Sequence, residues 1–115
     1  MLNWFKKTNA GPDFSALDSR EKVQAAAADG RLVPMLLMPA EFGGPPEGMN
    51  VVFVPEWAAE QKQRIDLGTV MSLAQQGKFT KYAAKPRYKG SSFVPSSVVI
   101  RAHDPGDFTA TVEIW

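Results

Sequence analysis

The sequence predicts an α+β fold: a small single domain spanning residues 1–115, with a short N-terminal helix and an antiparallel C-terminal sheet of at least three strands packed against one or two helices. Three observations carry this expectation. An alanine-rich stretch with capping signals stands near the start, apolar residues recur at helical spacing over 67–76, and from Lys78 onward the period switches to two. A chain of 115 residues buries about two-thirds of its unfolded surface, enough for a core without metal or disulfide staples.

Asn9-Ala10-Gly11-Pro12 interrupts the chain, so residues 1–12 are expected to form a loosely ordered segment pinned by Trp4 and Phe5. Asp18 or Ser19 then caps a helix, with Glu21 placed for a capping box, and the alanine run 25–28 ends at Asp29-Gly30. With Leu17 and Val23 as its few large apolar residues, this helix belongs on the surface. Residues 31–38 are short, apolar and bounded by Gly30 and Pro39, the pattern of a buried strand, and Pro34 inside it predicts an edge position or a bend.

Residues 39–48 form a loop, because Phe42-Gly43-Gly44-Pro45-Pro46 sustains neither helix nor ladder. Residues 50–54 make a second short strand. Pro55 suits the first turn of a helix and Glu56 suits its positive end. The helical region 55–76 is expected to divide near Gly68, with Leu67, Val70, Met71 and Ala74 as a buried stripe and Gly77 closing it.

In the C-terminal half, residues 78–88, 97–103 and 108–114 read as strands. Phe108, Ala110, Val112 and Ile114 alternate with polar residues, and Val98, Ile100 and Ala102 face the same core. The pleat fixes the turn between them. A two-residue loop would pair Phe108 with His103 and send the two apolar sets to opposite faces, whereas pairing His103 with Asp107 brings Ala102 and Phe108 onto one face. An odd loop is therefore expected.

Composition narrows the function classes. The hydrophobic fraction of 44% and charged fraction of 22% argue for a folded globular chain. The absence of cysteine removes disulfides, thiolate zinc sites and a cysteine nucleophile, and fits a bacterial cytoplasmic protein. A net charge of +1 supplies no global field toward nucleic acid or membrane, so any such preference needs local clustering. The longest apolar run, around Leu36-Leu37-Met38, is far short of the ~20 residues that cross a bilayer, so no membrane span is expected. The basic pair Lys6-Lys7 follows rather than precedes the first apolar residues, unlike a secretory signal.

Few residues invite chemistry. His103, the only histidine, stands beside Asp104 with Asp107 close by; imidazole and carboxylate serve a metal or a general base, but aspartates in this setting ordinarily bond their own turn. No nucleophile elbow, phosphate cradle or paired-histidine spacing occurs, and no motif calls for a cofactor. The densest charge lies over 78–89: Lys78, Lys81, Lys85, Arg87 and Lys89 without an acid, interleaved with Phe79, Tyr82 and Tyr88. On a strand, Lys81, Lys85, Arg87 and Lys89 fall on one side, repeating every ~6.6 Å. With Tyr82 and Tyr88 beside them they compose a nucleic-acid surface, or else a solvated face whose lysines discourage edge pairing. Trp57, Tyr88 and Trp115 are candidate interface anchors.

From Met38 to Pro95, the order Phe42-Gly43-Gly44, Asn50-Val51-Val52, a helix, Gly77-Lys78, Pro86-Arg87-Tyr88-Lys89-Gly90-Ser91 and Pro95 resembles bacterial DNA/RNA non-specific endonuclease toxin domains. That resemblance implies a ββα-metal (His-Me finger) core, in which a histidine at the end of the first strand activates water and a downstream asparagine helps hold a divalent cation. Aligned on Phe42-Gly43-Gly44, the histidine position is held by Leu36, which has no lone pair to abstract a proton, and Asn50 alone remains at the metal position. The resemblance then implies a degenerate, non-catalytic scaffold.

Three functions follow as expectations. The leading one is a non-catalytic interaction module binding a protein partner. The second is a nucleic-acid-binding module using the strand 78–89. The third is a divergent metal-dependent phosphodiesterase using Asn50, Glu41 and His103.

Overall fold

A computed structural model describes residues 12–115, so the expected loose segment at 1–12, with Trp4 and Phe5, lies outside the described residues except for Pro12. The architecture is α+β. Helix α1 (Arg20–Ala28) precedes a two-stranded hairpin of β1 (Val33–Leu36) and β2 (Val51–Val54). Helix α2 (Glu56–Gln63) runs through a π-helical stretch (Arg64–Val70) into α3 (Met71–Gln75), and a three-stranded antiparallel sheet follows in the order β3 (Phe79–Arg87), β4 (Ser97–Pro105), β5 (Asp107–Glu113). Helix α2 touches β1 on one side and β5 on the other, joining the two sheets.

Ser19 is the cap of α1: its hydroxyl accepts from the Lys22 N–H at 3.2 Å, satisfying one otherwise orphaned donor. Glu21 is then the second helical residue, one short of the capping-box position, so the expected box does not form; Lys22 stands there and pairs instead with Asp18 at 2.8 Å. The helix ends at Asp29 as expected, with only Val23 and Ala26 buried. Strand β1 is shorter than the 31–38 expected, and Pro34 does sit on an edge strand, since β1 pairs with β2 alone.

The loop between β1 and β2 is built on Asn50. Its side-chain oxygen accepts from the Met38 N–H at 2.8 Å, while its amide donates to the Met38 carbonyl at 3.0 Å and the Pro45 carbonyl at 2.8 Å. Gly44 lies against this clasp so closely that a Cβ there would stand 1.9 Å from the Met38 carbonyl oxygen. Phe42-Gly43-Gly44 and Asn50 are thus parts of one packing unit.

Gly68 does not divide the long helix; the chain coils through it in the π-helical stretch. The expected stripe of Leu67, Val70, Met71 and Ala74 is corrected accordingly. Of these only Val70 is buried, and the inward row is Ala58, Lys62, Asp66 and Val70. Steps of four drift by about 40° each in a regular α-helix, and the wider π turn offsets that drift, keeping the row on one side. Gly77 follows α3 with φ +81°, the left-handed position that ends helices.

The C-terminal hairpin has the odd loop the pleat requires: His103 pairs with Asp107 and Ala102 with Phe108, enclosing Asp104, Pro105 and Gly106. Val98, Ile100 and Ala102 of β4 and Val112 of β5 consequently share one buried face. They join Met35, Val52, Val54, Ala58, Val70 and Phe79 in the main core, where each fully buried valine or isoleucine contributes roughly 1.5–3 kcal/mol. A second apolar cluster of Val23, Ala26, Leu32 and Val94 lies under α1, and Phe14 and Trp115 pack against both. No helix among the described residues is long and apolar enough to cross a membrane.

Candidate functional site

Three places in this fold gather chemistry. The first is a groove of ≈ 520 Å³ bounded by β2 and the Gly48–Asn50 turn on one side, and by α1, Tyr88 and Phe93 on the other. Its rim is apolar and open to solvent: Met49 is 93% exposed, Phe93 51% and Tyr88 48%. Val51, Val52 and Phe53 form one wall, and Arg20 and Gln24 project from the first turns of α1. Arg20 makes no ion pair among the described residues. Phe93 is held by its own N–H, which donates to the Leu17 carbonyl at 2.8 Å, and by Ser92, whose hydroxyl donates to the Phe14 carbonyl at 2.7 Å. Burial of the Tyr88 ring raises its phenol above the usual tyrosine range.

The second place is a buried polar cluster. Lys62 and Asp66 are each 2% exposed and pair at 2.5 Å. The Lys62 ammonium also donates to the Leu37 carbonyl at 2.6 Å and to the Tyr82 oxygen at 3.2 Å, so its three protons are all engaged. Tyr82 donates to the other Asp66 oxygen at 2.7 Å. Desolvation lowers the Lys62 pKa against the opposing pull of Asp66. Desolvation raises that of Tyr82, and the adjacent carboxylate reinforces the rise. A cleft of ≈ 180 Å³ borders the pair and is also lined by Leu36 and Glu41. An ammonium with no free proton and no lone pair, tied to a carboxylate that accepts from both neighbours, is a clamp between Leu37 just past β1, the long helix and β3.

The third is the outer face of the three-stranded sheet. Directly opposed residues share a face, so Lys81, Lys85 and Arg87 of β3 stand with Arg101 and His103 of β4 and with Asp107, Thr109, Thr111 and Glu113 of β5. Lys81 pairs with Asp104 at 3.3 Å and Arg101 with Asp107 at 3.4 Å, which neutralises half of the four permanent cations.

Of the expected basic row, Lys81, Lys85 and Arg87 do share one face of β3. Lys89 lies past the end of β3, its ammonium 5.2 Å above the Trp115 ring. Tyr82 has the opposite parity to Lys81 and Lys85 and faces inward, edge-on to Phe42 at 5.1 Å, so it is no part of the basic face. Phe79 is buried against Phe108, and Tyr88 belongs to the groove. The aromatic interleaving read along the sequence does not survive folding.

Other expected residues find structural work. The Asn50 amide is committed to Met38 and Pro45, and among the described residues no group of three His, Asp or Glu is placed to hold a metal. His103 Nδ1 lies 2.9 Å from Asp104, whose carboxyl is held below the usual range first by that contact and then by Lys81. Trp115, expected as an interface anchor, donates its indole N–H to the Val94 carbonyl at 3.1 Å and meets Phe14 edge-on, so its ring completes the core. Trp57 on α2 is 45% exposed, but it does not line the groove.

Sequence reasoning missed Arg20, Met49 and Phe93 in the groove, and Lys62 and Asp66 in the clamp. Met49 and Phe93 did carry a signal: each is a large apolar residue inside a Gly/Pro or Ser-rich connection, outside any periodic stripe. Lys62 and Asp66 carried a weaker one, since they continue a row of four-residue steps from Ala58 to Val70. No protein-family model, curated protein or solved structure matches the chain.

Proposed function

We propose that this chain is a non-catalytic interaction module that binds a protein partner through the groove between β2, α1 and the Tyr88–Phe93 segment. The observation that carries the reading is convergence: Met49, Tyr88 and Phe93, three of the four most exposed large apolar side chains among the described residues, border one groove. Exposed apolar patches rimmed by polar groups mark interaction sites, and tyrosine is a frequent anchor.

The order β1, loop, β2, α2 is compatible with the strand–strand–helix order that the nuclease resemblance implies, and that resemblance sets Leu36, the last residue of β1, at the position of the water-activating histidine. With the Asn50 amide spent on the loop and Lys62 saturated, neither offers a free group for hydrolysis. A degenerate scaffold kept for recognition, working in a bacterial cytoplasm, accommodates all of these features.

The immobilised full chain tests this. It should retain one protein from a cell extract, lose it on Phe93→Asp or Met49→Asp, and keep it when Lys85 and Arg87 are both changed to Ala. Retention indifferent to the groove variants overturns the reading. A second reading, nucleic-acid binding, is favoured by Lys81, Lys85, Arg87 and Arg101 sharing one face. It requires a gel shift at low salt that weakens as salt rises and disappears in the Lys81→Ala, Lys85→Ala, Arg87→Ala triple variant, with groove variants unaffected.

A further inference from the structure

The hairpin wall of the groove says what form its occupant takes. The Leu37 N–H donates to the Asn50 carbonyl at 2.8 Å, which continues the β1–β2 register by one position and marks 37/50 as a hydrogen-bonded pair. Such pairs alternate with non-hydrogen-bonded ones along an antiparallel ladder. Met35/Val52 and Val33/Val54 are therefore bonded pairs, while Leu36/Val51 and Pro34/Phe53 are not. The main-chain N–H and C=O groups of Val51 and Phe53 consequently point away from β1. The Val51 N–H turns back to the Gly48 carbonyl and closes the Gly48–Asn50 turn, while the Phe53 N–H and the Val51 and Phe53 carbonyls have no other backbone partner among the described residues.

The two edges of the hairpin differ in what borders them. On β1, positions 34 and 36 point outward, and the first is proline, which has no donor. The β2 edge keeps the Phe53 donor and both acceptors, and it is β2 whose residues line the groove.

Resting on the interaction reading above, we infer that the partner enters as an extended peptide that adds a third strand to β2, with a carboxylate side chain placed for Arg20. Main-chain pairing to both groups of Phe53 and to the Val51 carbonyl supplies affinity without regard to sequence, and alternate side chains meeting Met49, Tyr88 and Phe93 supply selectivity. Arg20, exposed on the far wall without an ion pair among the described residues, supplies the charge complement. The groove, at ≈ 520 Å³, lies within the usual size of a ligand site.

A display library of random octapeptides selected against the full chain provides the probe. Enriched peptides should alternate apolar and polar residues and include an acid. Bound, the best of them should slow hydrogen exchange at the Phe53 amide, the free donor of that edge. Its affinity should fall at least tenfold when alternate peptide nitrogens are methylated in one of the two registers, and at least tenfold with Arg20→Glu, which a lysine in place of the peptide's acid should restore. Peptides that bind and are lost on Phe93→Asp, yet leave the Phe53 amide unprotected and tolerate methylation in both registers, overturn the added strand while sparing the interaction reading. Enrichment no better than that of the Phe93→Asp chain overturns both.

Discussion

Lys62 is the residue whose setting departs most from habit, because lysine is almost never fully buried unless paired. Here the pairing is complete, which makes the cluster costly to break and cheap to replace. Asp66→Ala leaves an uncompensated buried ammonium and should cost about 3–5 kcal/mol in urea unfolding. The double variant Lys62→Met, Asp66→Leu removes both charges and should lose far less than the two single changes added together. Tyr82 gives the cluster a pH signature. Its folded pKa is raised, so its contribution is fully present below the ordinary value near 10 and drains away as pH rises above it, because the unfolded chain ionises while the folded one does not. Lys62 acts with the opposite sign: its folded pKa is lowered, so stability is regained as pH climbs toward its ordinary 10.5. Comparing wild type with Tyr82→Phe isolates the tyrosine. Above pH 10 the wild type should lose stability relative to the variant by up to about 1.4 kcal/mol per pH unit, and equal slopes would show that the phenol titrates freely in the fold.

At the scale of elements, two glycines give opposite expectations, and each tests a local reading. Gly44 lies where any Cβ collides with the Met38 carbonyl. Gly44→Ala should therefore displace the loop clasped by Asn50 and cost more than about 1 kcal/mol. Gly68 has open space around its missing Cβ and sits mid-helix, so Gly68→Ala should stabilise by about 0.5–1 kcal/mol through the unfolded chain's lost freedom. Shifts of the urea midpoint in opposite directions meet both expectations. The sequence told these glycines apart poorly, since glycine marks a turn, a close contact or a tolerated helix position with the same letter. It told the hairpin well: the parity of Ala102 and Phe108 alone required His103 opposite Asp107. Parity also assigns Tyr82 to the face away from Lys81 and Lys85. An aromatic-basic composition gathered over a window of residues hides that alternation, which is why Tyr82 stands apart from the basic face in the fold.

Across the whole molecule, the α+β order was legible because period and punctuation are local, whereas the groove was not, because its walls come from residues 20–24, 48–53 and 88–93, which no local pattern unites. What joins those walls is the pair of rings shared by both apolar clusters. Phe14 and Trp115 meet edge-on at 6.1 Å, Lys89 covers the indole, and the indole N–H reaches Val94. Trp115 thus ties the α1 cluster to the sheet. Its truncation is expected to weaken one part of the molecule more than the other. In Trp115→Ala the cavity and the lost indole bond should cost about 3 kcal/mol, at the low end for a large aromatic because the ring is only partly buried. The cost should fall on α1 and the 92–94 segment. Hydrogen exchange should then quicken at the α1 amides and at Phe93 well before it does at Val98 and Ile100, and the groove should lose its far wall along with peptide binding. If exchange instead quickens equally in α1 and in β4, the two clusters are one cooperative unit, and Trp115 stabilises the whole fold evenly.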